Sequence, residues 1–126
     1  MLVLTNATPL IALAQCALFD VLQRLYSRLV LPPAVYREVV TEGQGRAGAQ
    51  ETAAAITAGW IAIMPLQTPQ AAERLRATYR LGEGESAVLA LAQEHRADLL
   101  LLDEAHAVRC AHMLGFRVLR TVGVLL

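Results

Sequence analysis

Short apolar runs alternate with longer amphipathic segments along the whole chain. Residues 2–4, 29–31, 60–64 and 99–102 form apolar runs that are too short for helices and predict strands, and a further short strand is predicted at 117–119. Between them, apolar residues recur every three or four positions, which is typical of helices that bury one face. The unbroken leucines at 99–102 imply burial on both faces, as in a central parallel strand.

This alternation predicts a single three-layer α/β/α domain over residues 1–126, with a mostly parallel central sheet and right-handed crossovers. Thr8-Pro9 and Thr68-Pro69 each combine a helix-capping residue with a proline suited to a first helical turn. Further helices are predicted at 33–40, 50–58, 85–96 and 104–114, the last followed by Gly115.

The composition is that of a folded protein, with 56% hydrophobic and 17% charged residues among 126. Eleven basic residues, all arginine, balance eleven acidic ones, so bulk charge does not indicate nucleic-acid binding. The apolar surplus favours a subunit interface, with the helices at 7–25 or 50–58 as candidates. The apolar end at 122–126 is expected to be buried, either against the domain's own sheet or in a subunit contact. Cys16 and Cys110 are expected to be buried thiols of a cytoplasmic protein, and no apolar run is long enough to predict a membrane span.

Polar residues with oxygen donors follow two of the predicted strands. Asn6 comes directly after the first strand and Asp103 after the four-leucine strand. Ligands of parallel sheets gather at the carboxyl ends of strands, where Glu38 and Glu85 on nearby helices can also reach. Three carboxylates and one amide would form the oxygen-rich site that Mg²⁺ or Mn²⁺ prefers.

Each of these residues also has a structural explanation. Asp103 can cap the helix beginning at Glu104, and Glu83 or Glu85 can complement a helix dipole. Glu38 can be a solvated helix residue, and Asn6 and Thr8 can be turn and cap residues. Spacing alone therefore leaves the site open. Motifs for zinc fingers, phosphate-binding loops or hydrolase triads do not occur.

Four segments together resemble a small bacterial PIN-like subfamily related to VapC toxins. In order, they are VLTNATPLIALAQ, PPAVYREVV, GEGESAVLALA and LLLLDEAHAVRCAHMLGFRVLRTVGVLL, and they span nearly the whole chain. The resemblance implies a Rossmann-like α/β/α fold and a metal-dependent endoribonuclease that hydrolyses RNA phosphodiester bonds. It also implies a small antitoxin partner and a homodimer.

The resemblance carries functional positions onto particular residues of this chain. The four acidic positions of the family fall on Asn6, Glu38, Glu85 and Asp103, with Glu85 preferred to Glu83 by its distance from Asp103. Arg109 matches a basic residue that approaches substrate phosphate, and Thr8 a hydroxyl residue near the metal. Asn6 stands where most of these nucleases carry Asp, so three negative charges instead of four predict weaker Mg²⁺ binding.

The resemblance therefore implies a PIN-type ribonuclease that uses Mg²⁺ or Mn²⁺. The alternative is a catalytically weak or inactive PIN-like module that binds nucleic acid or a protein partner, since one acidic ligand is replaced by Asn6. A receiver-like domain is disfavoured, because its chemistry needs paired acids after the first strand and this strand ends in Thr5-Asn6.

Overall fold

The computed structural model describes residues 1–126 and contains one five-stranded sheet. The strands are β1 (Val3–Thr5), β2 (Leu29–Leu31), β3 (Ile61–Ile63), β4 (Leu99–Leu101) and β5 (Val118–Leu119). They lie in the order β3-β2-β1-β4-β5, and every neighbouring pair is parallel. The predicted mostly parallel sheet is confirmed.

Eight α-helices connect or follow these strands. They are α1 (Ala7–Gln15), α2 (Asp20–Tyr26), α3 (Pro33–Tyr36), α4 (Ala49–Ala58), α5 (Pro69–Tyr79), α6 (Glu83–His95), α7 (Ala105–Met113) and α8 (Thr121–Leu125). Right-handed crossovers in this strand order place helices on both faces of the sheet, which confirms the predicted α/β class. None of the eight helices combines the length and the hydrophobicity that a membrane crossing requires.

The core lies on both faces of the central strands. All three residues of β1, β2 and β4 are buried, as the continuous apolar runs predict. Every residue of helix α6 from Ser86 to Ala92 is buried. Helix α6 contacts both β1 and α5. Strands β1 and β4 are neighbours although β2 and β3 lie between them in sequence, so β1 marks the point where the strand order reverses. Ligands of open α/β sheets bind at such a reversal.

Helix α3 changes its winding just before the predicted residue Glu38. Residues Arg37–Thr41 form a π-helical turn, in which the Glu42 amide donates to the Arg37 carbonyl at 2.7 Å, five residues back. The turn fits only because Gly43 follows it: a Cβ there would stand 2.3 Å from the Val39 carbonyl oxygen. Single π turns inside helices occur often at functional sites.

Two local expectations were wrong. The first helix begins at Ala7, so Thr8 and Pro9 lie inside its first turn. Cys16 directly follows α1 and is exposed, whereas Cys110 is buried as expected. At the chain end, α8 buries Val124 but leaves three apolar side chains exposed within this chain, namely Val122, Leu125 and Leu126, so their expected burial would require a subunit contact.

Candidate metal centre

The candidate site begins at Asn6, directly beyond the carboxyl end of β1. The Asn6 amide donates to the Leu101 carbonyl at 3.1 Å, so the β1–β4 pairing fixes its backbone. The residue is only 7% exposed, yet its side-chain oxygen Oδ1 has no hydrogen-bond partner in the protein. Buried polar atoms are nearly always paired, so this orphaned oxygen indicates a partner that the chain itself does not supply.

Gly84, in the first turn of α6, brings Asn6 and Glu38 together. A Cβ at Gly84 would lie 3.1 Å from Asn6 Oδ1 and 3.3 Å from Glu38 Oε1. The two oxygens therefore lie close to the same backbone position, although Asn6 follows β1 and Glu38 lies in the π turn. The absence of a side chain at residue 84 keeps the space between them open.

These residues line a cleft of about 430 Å³ at this end of the sheet. Its lining comprises Asn6, Thr8, Ala34, Arg37, Glu38, Glu42, Gly82, Glu83, Gly84 and Glu85. The structure thus brings together four of the six predicted site residues and leaves Asp103 and Arg109 outside the lining. Sequence reasoning missed Arg37 and Glu42. Only Glu42 carried a signal, because it follows Glu38 by four residues and a helix places such residues on a shared face.

Four carboxylates share this cleft with a single guanidinium, and the pKa of Glu38 reflects its burial and the charges around it. Its pKa is raised above the ordinary glutamate value, first by burial and then by the negative charges of Glu85, Glu42 and Glu83. The ionised form of Glu38 is therefore less favourable in the folded protein than in water. A cation in the cleft would stabilise that ionised form.

The raised pKa predicts a particular pH dependence of stability. Some carboxyl groups have a higher pKa in the folded chain than in the unfolded chain, where the pKa of glutamate is about 4.3. Such a group contributes its full stability at pH values below the unfolded-state pKa. That contribution is lost as the pH rises through the folded-state pKa. At pH values above neutral, Glu38→Gln should therefore unfold at a higher midpoint temperature than wild type. This difference in midpoint temperature should vanish at about pH 4.

Thermal unfolding followed by circular dichroism in EDTA at several pH values tests this expectation. Asp20→Asn is a suitable control, because it removes an exposed carboxylate paired only with Arg24 on its own helix. It should show no gain in midpoint as pH rises. A Glu38→Gln midpoint at or below that of wild type over the whole range would contradict the prediction.

Glu85 and Glu83 are partly occupied by contacts within the chain. Glu85 Oε1 accepts a hydrogen bond from the Gly82 amide at 3.0 Å, which caps α6 two residues earlier than predicted. Glu83 pairs with Arg37 at 2.5 Å, and both side chains are about half exposed. Glu85 keeps its second oxygen free of hydrogen bonds within the chain, whereas Glu83 is already paired with Arg37.

Asp103 follows β4 as predicted, but its carboxylate is bound elsewhere. Oδ1 accepts from the Thr121 amide at 2.6 Å and Oδ2 accepts from the Thr121 hydroxyl. The Asp103 carbonyl accepts two further bonds from the Arg120 guanidinium. In this structure Asp103 holds the start of α8.

The N-cap of α7 is Glu104 and not Asp103. The Glu104 carboxylate accepts from the amides of His106 and Ala107, and these bonds hold its pKa below the usual range. Arg109 is exposed on the same helix, outside the cleft lining. The capping alternative for Asp103 was therefore wrong by one residue.

The cleft is an open arrangement of oxygen donors and not a closed metal cage. Nowhere do three His, Cys, Asp or Glu side chains converge closely enough to enclose an ion. Mg²⁺ differs from zinc in this respect, since it retains several waters and takes only one or two protein carboxylates. An orphaned amide oxygen beside carboxylates suits such an ion, so the residues present fit a hydrated divalent cation.

Comparison with known proteins identifies the architecture. A family model described as DUF3368, PIN domain, matches residues 2–126. The chain is also similar in fold to the crystal structure of PAE2754 from Pyrobaculum aerophilum, with a TM-score of 0.68 and 14% sequence identity. That match covers 99% of this chain and 94% of the other, and at this identity it shows the fold alone. No curated protein matches the sequence.

Proposed function

The chain belongs to the PIN-domain family DUF3368, and from that premise we propose that it is a metal-dependent endoribonuclease of the VapC type. PIN domains have a nuclease-type fold and generally use divalent metal ions. The observation that carries the proposal for this chain is the orphaned Asn6 Oδ1, which is buried beside Glu38 and faces Gly84. Mg²⁺ or Mn²⁺ would complete its bonding.

Asn6, Glu38 and Glu85 would hold this cation, through one amide oxygen and the free oxygens of two carboxylates. A bound divalent ion supplies Lewis acidity, which lowers the pKa of water and stabilises negative charge on phosphate. Glu38, whose pKa is raised, either binds the ion or orients the attacking water and receives its proton. Thr8 lines the same cleft, where it would contact the substrate.

The charge of the cleft explains why a cation is needed for a phosphate to enter it. Four carboxylates and one arginine line the cleft, so an RNA phosphate would be repelled from the metal-free cleft itself. Binding of a divalent ion would offset much of that local negative charge. Asp103 stays a predicted ligand, which requires that its carboxylate exchange its Thr121 partner for the ion.

The partners in the proposal are an RNA substrate, a small antitoxin and a second copy of the chain. Exposed apolar side chains near the chain end support the homodimer: Met113, Val122, Leu125 and Leu126. Arg109, exposed on α7, is proposed to contact phosphate of the RNA.

The second candidate function is a module that binds nucleic acid or protein without catalysis. Two observations favour it: Asn6 replaces an acidic ligand, and the Asp103 carboxylate is fully engaged by Thr121. Such a module would fold identically and would not need a bound cation. Metal binding therefore separates the two functions.

Gly84→Ala is the substitution that tests the site most directly. Its new methyl group would stand between Asn6 Oδ1 and Glu38 Oε1 without removing any charge. We expect Mn²⁺ affinity, measured by titration calorimetry, to fall by about tenfold or more, as disturbing the surroundings of a metal costs that much. Helix α6 should remain stable because alanine is the better helix former.

Gly123→Ala is the matched control, since it is also a helical glycine but meets only the flexible end of Leu119 at 3.2 Å. Gly123→Ala should bind Mn²⁺ as tightly as wild type does. Wild type and Gly123→Ala should both cleave RNA when incubated with a mixed RNA pool. Equal Mn²⁺ affinity in Gly84→Ala and wild type would refute the site. Absence of Mn²⁺ binding and cleavage in folded wild type would support the non-catalytic module.

A further inference from the structure

A second groove adjoins the candidate metal cleft. It has a volume of about 460 Å³ and shares Ala34, Arg37 and Glu83 with the cleft. Its remaining lining is Pro32, Pro33, Pro65, Leu66, Pro69, Ala72, Glu73, Arg76, Ser86 and Ala87. We call this depression the arginine groove. A ligand chain lying in the cleft can continue into it across Arg37 without leaving the surface.

The two depressions differ in chemistry. The cleft is lined by four carboxylates, whereas the arginine groove is lined largely by proline, leucine and alanine, with Arg37 and Arg76 at its sides. Of its two carboxylates, Glu83 is already paired with Arg37. Beyond Arg76 the surface continues into a shallower depression that includes Arg80. The chain is neutral overall, so this succession of arginines is a local feature of the surface.

The spacing of the arginines follows from helix geometry. Arg76 is in α5 and Arg80 follows its last residue, so the two are four residues apart, about 6 Å along the helix axis. Arginines at such intervals can contact successive phosphates of one nucleic-acid strand. Apolar surfaces between them can cover the faces of unstacked bases, which a duplex keeps hidden.

We infer that the arginine groove binds the part of a single-stranded RNA that flanks the scissile phosphate, with Arg37 and Arg76 contacting its backbone. This inference rests on the proposed ribonuclease function. Arg37 stands at the boundary, where phosphate competes with Glu83 for the guanidinium. The scissile phosphate lies in the cleft, and the adjoining nucleotides extend over the prolines toward Arg80.

The test measures RNA binding without relying on cleavage. Labelled oligouridine is titrated with full-length protein in EDTA and followed by fluorescence anisotropy at several salt concentrations. Arg76→Gln should weaken binding by about three- to tenfold and should lower the salt slope by about 0.7, the value of one phosphate contact on a single strand. A duplex of equal length should bind more weakly and should not distinguish the variant.

Arg74→Gln is the matched control, because Arg74 is an exposed arginine on the same helix but lies outside the groove lining. It should change the affinity by less than about twofold, because an exposed charge that makes no phosphate contact releases no counterions. Equal losses of RNA affinity in Arg76→Gln and Arg74→Gln would overturn the inference, because the loss would then follow from the change in net charge alone. An acidic peptide bound more tightly than RNA in an Arg76-dependent way would also overturn it, and would assign the groove to a protein partner.

The outcomes for the groove and for the proposed function are separable. Metal-dependent cleavage by a protein whose RNA affinity is unchanged in Arg76→Gln would reject the groove and keep the nuclease. Selective loss of binding in Arg76→Gln, in a protein that neither binds Mn²⁺ nor cleaves RNA, would keep the groove as an RNA site and reject the nuclease.

Discussion

Glu38→Gln is expected to lower metal-dependent RNA cleavage by about three orders of magnitude, close to 4 kcal/mol of transition-state stabilisation. Glu38 faces the same backbone position as the orphaned Asn6 oxygen, and three neighbouring carboxylates already oppose its charge. Glutamine keeps the shape of the side chain but removes the negative charge that would bind a cation or accept a proton from water. The initial rate on labelled RNA with saturating Mn²⁺ measures the effect.

The same substitution should raise stability at neutral pH, because it removes an opposed charge from the cleft. Opposite signs for activity and stability identify a residue that is retained for function at the expense of the fold. Asp20→Asn removes a carboxylate on α2 outside the cleft and should leave the rate unchanged within about twofold. Glu38→Gln cleaving RNA as fast as this control would exclude Glu38 from the catalytic site.

Much of the fold is predictable because burial is recorded in short apolar runs. Strand β2 begins and ends where predicted, and β4 ends one residue early, at Leu101, although the Leu102 backbone amide still donates to the Leu119 carbonyl of β5 at 3.1 Å. The carboxyl ends of β1 and β2 then fix the neighbourhoods of Asn6 and Glu38. These placements depend on local pattern and on the parallel sheet alone.

The parts that sequence did not predict depend on contacts between distant residues or on unusual backbone. A π turn has no simple sequence signature, so the exposure of Arg37 and Glu42 to the cleft was missed. Helix α6 starts early because Gly82 and Glu85 form its cap, which only the local hydrogen bonds reveal. Asp103 could not be assigned from its neighbours, since its partner Thr121 lies 18 residues away.

Asp103→Ala is expected to lower the free energy of unfolding by about 2–4 kcal/mol. It removes two hydrogen bonds to an ionised acceptor, each worth about 1.5–3 kcal/mol, and leaves the Thr121 amide and hydroxyl to partial solvent. Helix α8 would lose its tie to the end of β4, and Val124 would be less firmly buried. Urea unfolding monitored by circular dichroism gives the change.

Thr121→Val isolates the contribution of the hydroxyl bond, because the Thr121 amide remains. Together with Asp103→Ala it forms a double-mutant cycle whose coupling energy should be about 1–2 kcal/mol. Additive effects would show that the hydroxyl bond between Thr121 and Asp103 does not contribute to stability.

Asp103→Asn then separates the anchoring role from the predicted role as a metal ligand. Asparagine keeps an acceptor for the Thr121 amide, so this variant should lose less stability than Asp103→Ala and remain folded. If Asp103 also binds the cation, Asp103→Asn loses Mn²⁺ affinity and cleavage while folded. If it serves only α8, a folded Asp103→Asn keeps both, and Asn6, Glu38 and Glu85 are the whole ligand set. Since Thr121 occupies both Asp103 oxygens, binding of Asp103 to a cation would loosen α8, which increased hydrogen exchange at Thr121 on Mn²⁺ addition would reveal.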